Sequence, residues 1–129
     1  MQHSERFLKL VEAARLGVRE ISPEETNAKL EKQENVLIID TREDHEWERG
    51  HVAGALHLGK GIIERDIESV APDLDQPIIL YCGGGYRSVL AAEALARMGY
   101  TKVSSMSSGW KGWQVRGYPV EGGESSPEA

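Results

Sequence analysis

The chain has 129 residues, 40% of them hydrophobic, enough for one buried core and too few for two. Its formal net charge of -6 is spread without a lysine-arginine cluster, which argues against a phosphate-backbone reader and so against a nucleic-acid partner. The single cysteine, Cys82, rules out an internal disulfide and argues against a metal cluster, leaving a small buried hydrophobe or a reactive thiol.

Residues Met1 to Leu16 mix charged with apolar side chains and lack the continuous apolar run of a secretion signal or membrane helix. A cytoplasmic protein with no membrane partner is expected. Phe7, Leu10, Val11 and Ala14 recur at helical spacing, predicting an amphipathic helix from about Ser4 to Leu16 that stops near Gly17 and covers one side of the sheet. Ser22-Pro23-Glu24-Glu25 has the N-cap serine, early proline and third-position glutamate of a capping box, so a helix runs on to about Gln33.

Val36 to Asp40 is a short branched apolar run that suits a strand buried on both faces. A polar stretch follows through Arg49, then Gly50-His51-Val52-Ala53-Gly54-Ala55. Ile63, Ile67 and Val70 predict a helix over Ile62 to Val70, and Pro72 and Pro77 bracket a turn. Ile78 to Tyr81 is a second buried strand running straight into Cys82. Leu90, Ala91, Ala94, Leu95 and Met98 then form the stripe of a helix from Arg87 to Met98, stopped by Gly99, with Glu93 and Arg97 as a surface pair. Lys102 to Met106 reads as a third strand and Gly109 to Arg116 as a short helix or turn carrying Trp110 and Trp113. The alternation predicts an α/β fold with a mainly parallel central sheet and helices on both faces. Residues 1–17 form a helical extension, 18–120 the domain, and 121–129 a disordered acidic tail.

Cys82 stands where a strand gives way to a helix, at the sheet end where ligands collect in open parallel folds. Gly83, Gly84 and Gly85 accept backbone angles closed to other residues, so successive N–H groups of the loop Cys82 to Ser88 can turn inward as an anion nest. The positive end of the following helix points at the same place. A free thiol with a pKa of about 8.5 is mostly protonated at neutral pH, so a nucleophilic role needs such donors. Arg87 either points at a bound anion or turns back to Asp40 or Glu46, and Tyr86 is either a rim aromatic or a wall of the entrance.

Several separated segments together resemble the single-domain rhodanese family over approximately Val18 to Val120. They are Asp40-Thr41-Arg42-Glu43 with Glu46-Trp47, Gly50 to Ala55, the loop Cys82 to Ser88, and Ser108-Gly109-Trp110-Lys111-Gly112-Trp113 after Gly99-Tyr100. The resemblance implies a rhodanese-like fold and a sulfurtransferase. Cys82 would take a sulfane sulfur from thiosulfate or a small-molecule or protein persulfide, then pass it to a thiol or cyanide without a cofactor. Gly83, Gly84, Gly85, Tyr86, Arg87 and Ser88 would bind substrate, Asp40, Arg42 and Glu46 would brace the loop, and His51 would serve packing. Ser108 stands in place of the family's usual glycine, and Ala53 in place of its usual proline. Two other functions compete. A dual-specificity phosphatase would need a loop one residue longer between its cysteine and arginine and an acid for the leaving oxygen, which is not found here. A non-catalytic regulatory or partner-binding module of the same fold would ordinarily lack the cysteine.

Overall fold

The computed structural model describes residues 2–123. Five strands form one parallel sheet: β1 (Arg19–Ile21), β2 (Leu37–Asp40), β4 (Leu56–His57), β5 (Ile78–Tyr81) and β6 (Val103–Met106), in the order β1-β6-β5-β2-β4. Two short strands, β3 (His51–Val52) and β7 (Val120–Glu121), pair antiparallel beside it.

Alternation along the central strands decides the two faces. Ile39, Ile78 and Leu80 pack on one side with Ile63 and Ile67 of α4 (Ile63–Val70) and with Ala91, Ala92 and Leu95 of α5 (Arg87–Arg97). Ile38, Ile79 and Tyr81 point the other way, against Trp113 of α6 (Gly109–Val115) and Leu30 of α2 (Pro23–Glu31). Helices therefore lie on both faces, as the sequence predicts. The Ser22 capping box is present: Ser22 Oγ accepts from the Glu25 amide at 3.0 Å, and Glu25 accepts from the Ser22 amide at 3.2 Å.

The structure departs from the reading at several points. The first helix, α1 (Glu5–Arg15), packs on α5 rather than directly on the sheet, with Val11 and Ala14 against Val89. Leu10, expected in its stripe, is 58% exposed, and Val70 of α4 is at the surface. No ion pair joins Glu93 to Arg97 among the described residues. The boundary placed at 121 cuts through β7: Glu121 pairs with His51, and its carboxylate accepts from the Gly54 amide at 2.9 Å. The rest of the expected tail, 124–129, lies outside the described residues. Ala53 has a reason to differ from proline. Its N–H donates to the Pro119 carbonyl at 3.1 Å, extending the β3–β7 ladder with a bond that proline cannot make.

Candidate active site

Cys82 follows β5 directly and is 1% exposed. The chain then turns through Gly83-Gly84-Gly85-Tyr86 into α5, with Gly85 at φ +97°. Sγ accepts the amide of Gly85 at 3.2 Å and that of Ser88 at 3.4 Å. The Ser88 hydroxyl lies 3.5 Å from Sγ and 2.8 Å from Ser105 Oγ, which draws Ser105, deep in β6, into the site.

The loop's carbonyls are held from outside. The first turn of α6 sits against it, with the Trp110 amide donating to the Cys82 carbonyl at 2.7 Å and the Lys111 amide to the Gly83 carbonyl at 3.1 Å. Besides the amides of Gly85 and Ser88, which reach Sγ, those of Gly83, Gly84, Tyr86 and Arg87 have no backbone or side-chain acceptor among the described residues. Such a close approach dictates the Ser108-Gly109 turn. Ser108 adopts φ 57° and Gly109 φ 49°, and a Cβ on Gly109 would run into the Cys82 carbonyl oxygen. The serine that stands for glycine is thus in the left-handed region, at a cost of about 1–2 kcal/mol.

Arg87 turns back. Its guanidinium makes two bonds to Glu46, at 2.8 and 3.1 Å, and holds that carboxyl down at about 2. Glu46 in turn is the main cause pushing Arg87 above its ordinary value, with the neighbouring Cys82 sulfur also contributing. Glu46 is carried by α3 (Asp44–Glu48), a helix closed at its start by Glu43 and Glu46.

Asp40 and Arg42 reach the loop indirectly. Buried Asp40 takes the Arg42 side chain at 2.8 and 3.0 Å and the Tyr81 hydroxyl at 2.6 Å. Burial, with Asp40 beside it, keeps the Tyr81 phenol protonated far above its ordinary range, so it remains a donor. Arg42 also donates to the Gly50 carbonyl at 2.7 Å and lies 4.8 Å from the centroid of Trp110, the residue whose amide holds Cys82. His51 stacks on Trp47 with centroids 3.4 Å apart and planes within 2°, and His57 lies over Trp47's ring at 4.9 Å, a packed arrangement away from the sulfur.

Of the residues anticipated, Cys82, Gly85 and Ser88 are joined by direct bonds, Arg87 and Glu46 form a second bonded pair beside them, and Gly83 is held at its carbonyl by Lys111. Gly84 and Tyr86 form the outer side of the loop. Asp40 and Arg42 belong to a separate buried pair that touches the loop through Trp110. Ser105 and the Trp110 and Lys111 amides were missed: a hydroxyl inside a strand carries no sequence signal, and a backbone amide carries none at all.

A parallel α/β sheet whose only cysteine sits in an amide-lined loop at its carboxyl end defines a cysteine-loop protein. Over residues 22–116 the chain matches the rhodanese-like domain, and it belongs to that family. It is 31% identical over 106 residues to thiosulfate sulfurtransferase GlpE of Pseudomonas putida, covering 82% of this chain and 94% of that one. It is 30% identical over 97 residues to the putative sulfur carrier protein YrkF of Bacillus subtilis, 75% of this chain and about half (51%) of that protein's length. Among solved structures, a protein of unknown function and possible tyrosine phosphatase from Rhodopseudomonas palustris superimposes with TM-score 0.84 at 25% identity, covering 94% of this chain and 98% of that one. No helix among the described residues is long and apolar enough to cross a membrane.

Proposed function

We propose that the protein is a sulfurtransferase working through a Cys82 persulfide. The observation that carries the reading is the set of loop amides beside Sγ: two already reach it, and four more, of Gly83, Gly84, Tyr86 and Arg87, have no acceptor among the described residues. The Cys82 thiolate attacks the outer sulfur of thiosulfate, the sulfur–sulfur bond breaks, and sulfite departs with the bonding pair. The outer sulfur now bonded to Sγ is an anion, and preorganised N–H donors stabilise it without reorganising. A thiolate or cyanide then takes that sulfur and returns the thiolate. The same chemistry accepts a persulfide as donor. Ser88, held by Ser105, orients a hydroxyl at Sγ. Glu46 keeps Arg87 beside the loop, and the Asp40–Arg42 pair steadies Trp110 behind it.

A phosphatase reading is suggested by the Rhodopseudomonas neighbour. Against it stand only four residues between Cys82 and Arg87 and a guanidinium whose two carboxylate bonds are already spent on Glu46. A purely regulatory, partner-binding module of this fold would have no use for a cysteine in such a cradle. Turnover of thiosulfate and cyanide to thiocyanate tests the proposal. Activity abolished in Cys82→Ser supports it, equal turnover in that variant overturns it, and Cys82-dependent cleavage of an aryl phosphate would favour the phosphatase.

A further inference from the structure

The outward part of the loop is Gly83-Gly84, and the space beside each glycine is bounded differently. A methyl group on Gly83 would stand 3.1 Å from the Arg87 guanidinium and 4.0 Å from the Glu46 carboxylate; one on Gly84 would stand 3.6 Å from the Tyr86 ring. The outward stretch of loop over a cysteine only 1% exposed is thus flanked by an ion pair on one side and an aromatic ring on the other.

What holds the wall is the amino-terminal arm. The Tyr86 ring lies 4.6 Å from the His3 ring and 6.3 Å from the Phe7 ring, and those two are 5.2 Å apart. Arg15 covers Tyr86 at 5.9 Å from its centroid and is itself fixed by Glu20 at 2.6 Å and Glu12 at 3.4 Å. Val11, Ala14 and Val89 pack beneath. The arm and α1 lie outside the matched residues 22–116.

We propose that Tyr86, locked by His3 and Phe7, determines acceptor specificity: the entrance admits thiols on an unbranched carbon and turns away those branched or aromatic beside the sulfur. The identity of the acceptor rests on the sulfurtransferase reading. In that step R–S⁻ attacks the outer sulfur of the Cys82 persulfide anion, the bond from outer sulfur to Sγ breaks, and its electron pair returns to Sγ. The products are R–S–S⁻ and the Cys82 thiolate. Attack runs along the sulfur–sulfur axis, so the carbon bearing the acceptor sulfur must follow it past Gly84 and Tyr86. His3 and Phe7 touch no reacting atom and act as positioning residues.

The test uses the full chain with His3→Ala, Phe7→Ala and the aromatic-retaining His3→Phe, and two pairs of probes. Cys82 is alkylated with iodoacetamide or N-phenylmaleimide, and the thiosulfate-loaded protein is discharged with mercaptoethanol or tert-butyl thiol. In both alanine variants the bulky-to-slender rate ratio should rise about tenfold, the scale on which a steric pocket discriminates. His3→Phe should restore the wild-type ratio. An unchanged ratio, or bulky and slender probes accelerating together, overturns the proposal. Should Phe7→Ala fail to fold, His3→Ala, ahead of the helix, decides. Alkylation needs no sulfur transfer: absence of a persulfide in the wild type removes the sulfurtransferase reading, while the alkylation ratio still decides the wall.

Discussion

Beneath α2, at the amino end of the sheet, a cavity of about 580 Å³ is bordered by Arg19, Lys29, Lys102 and Ser104; at the opposite end Cys82 is 1% exposed inside a loop whose Cys82 and Gly83 carbonyls are held by α6. A second cavity of about 620 Å³, beside Arg42 and His57, also stops short of the loop: neither is lined by any residue from Cys82 to Ser88. Volume and chemistry are thus separated in this molecule. Both cavities have charged side chains around open space, one at the amino end of the sheet and one after β2 and β4, whereas the cysteine loop itself has oriented backbone amides and very little space. A site that handles a single sulfur atom needs donors more than it needs room.

The comparison breaks most completely if the loop loses its outer support. Gly109→Ala would push a methyl into the Cys82 carbonyl. We expect a loss on the order of 3 kcal/mol in urea unfolding and no measurable turnover, because backbone has no rotamer with which to yield. At least as costly to stability, but one step further from the sulfur, is the buried pair behind Trp110. Asp40 is fully buried and Arg42 is 3% exposed, so Asp40→Ala leaves an unpaired buried guanidinium and should cost about 3–5 kcal/mol in the same experiment. An unfolding midpoint within error of wild type would show that water reaches Arg42.

Glu46→Gln sharpens the contrast at the rim. The ion pair is partly exposed, so turnover should fall by up to about fivefold, the equivalent of the ~1 kcal/mol upper range for such pairs. The pH dependence carries the sign. Arg87 lowers the Glu46 carboxyl from 4.5 to about 2, so its stabilisation is fully present above pH 4.5 and is lost as pH falls towards 2. The stability difference between wild type and Glu46→Gln should shrink across that window, and a pH-independent difference contradicts the assignment. The smallest effect is Ser108→Gly, which relieves a left-handed φ of 57° and should stabilise by up to about 1 kcal/mol, glycine's greater unfolded freedom offsetting part of the gain. A higher thermal midpoint with unaltered turnover is the expected result.

Much of the frame was legible because its signals are short and strong. Ile38-Ile39 and Ile78 to Tyr81 read as doubly buried strands, and Cys82 with three glycines marked the junction of strand and helix. What escaped has little side-chain signature. β1 is Arg-Glu-Ile on a sheet edge, recognisable only through its pairing with β6. The five-residue α3 buries nothing and is held by reciprocal bonds between Glu43 and Glu46. β3 and β7 are two residues each and exist through a contact between distant segments. Leu10 was misplaced because α1 needs only Val11, Ala14 and Phe7 to reach α5. Arg87 was undecided between anion and carboxylate; the structure shows the carboxylate partner, Glu46, because α3 carries it there.

Incubation of the full chain with thiosulfate followed by intact mass spectrometry tests the central claim most directly, since Cys82 is the only cysteine in the sequence. The account predicts a species heavier by one sulfur that disappears when cyanide is added. A folded protein whose Cys82 reacts with iodoacetamide, yet forms no such species with thiosulfate or with any persulfide donor, would contradict it.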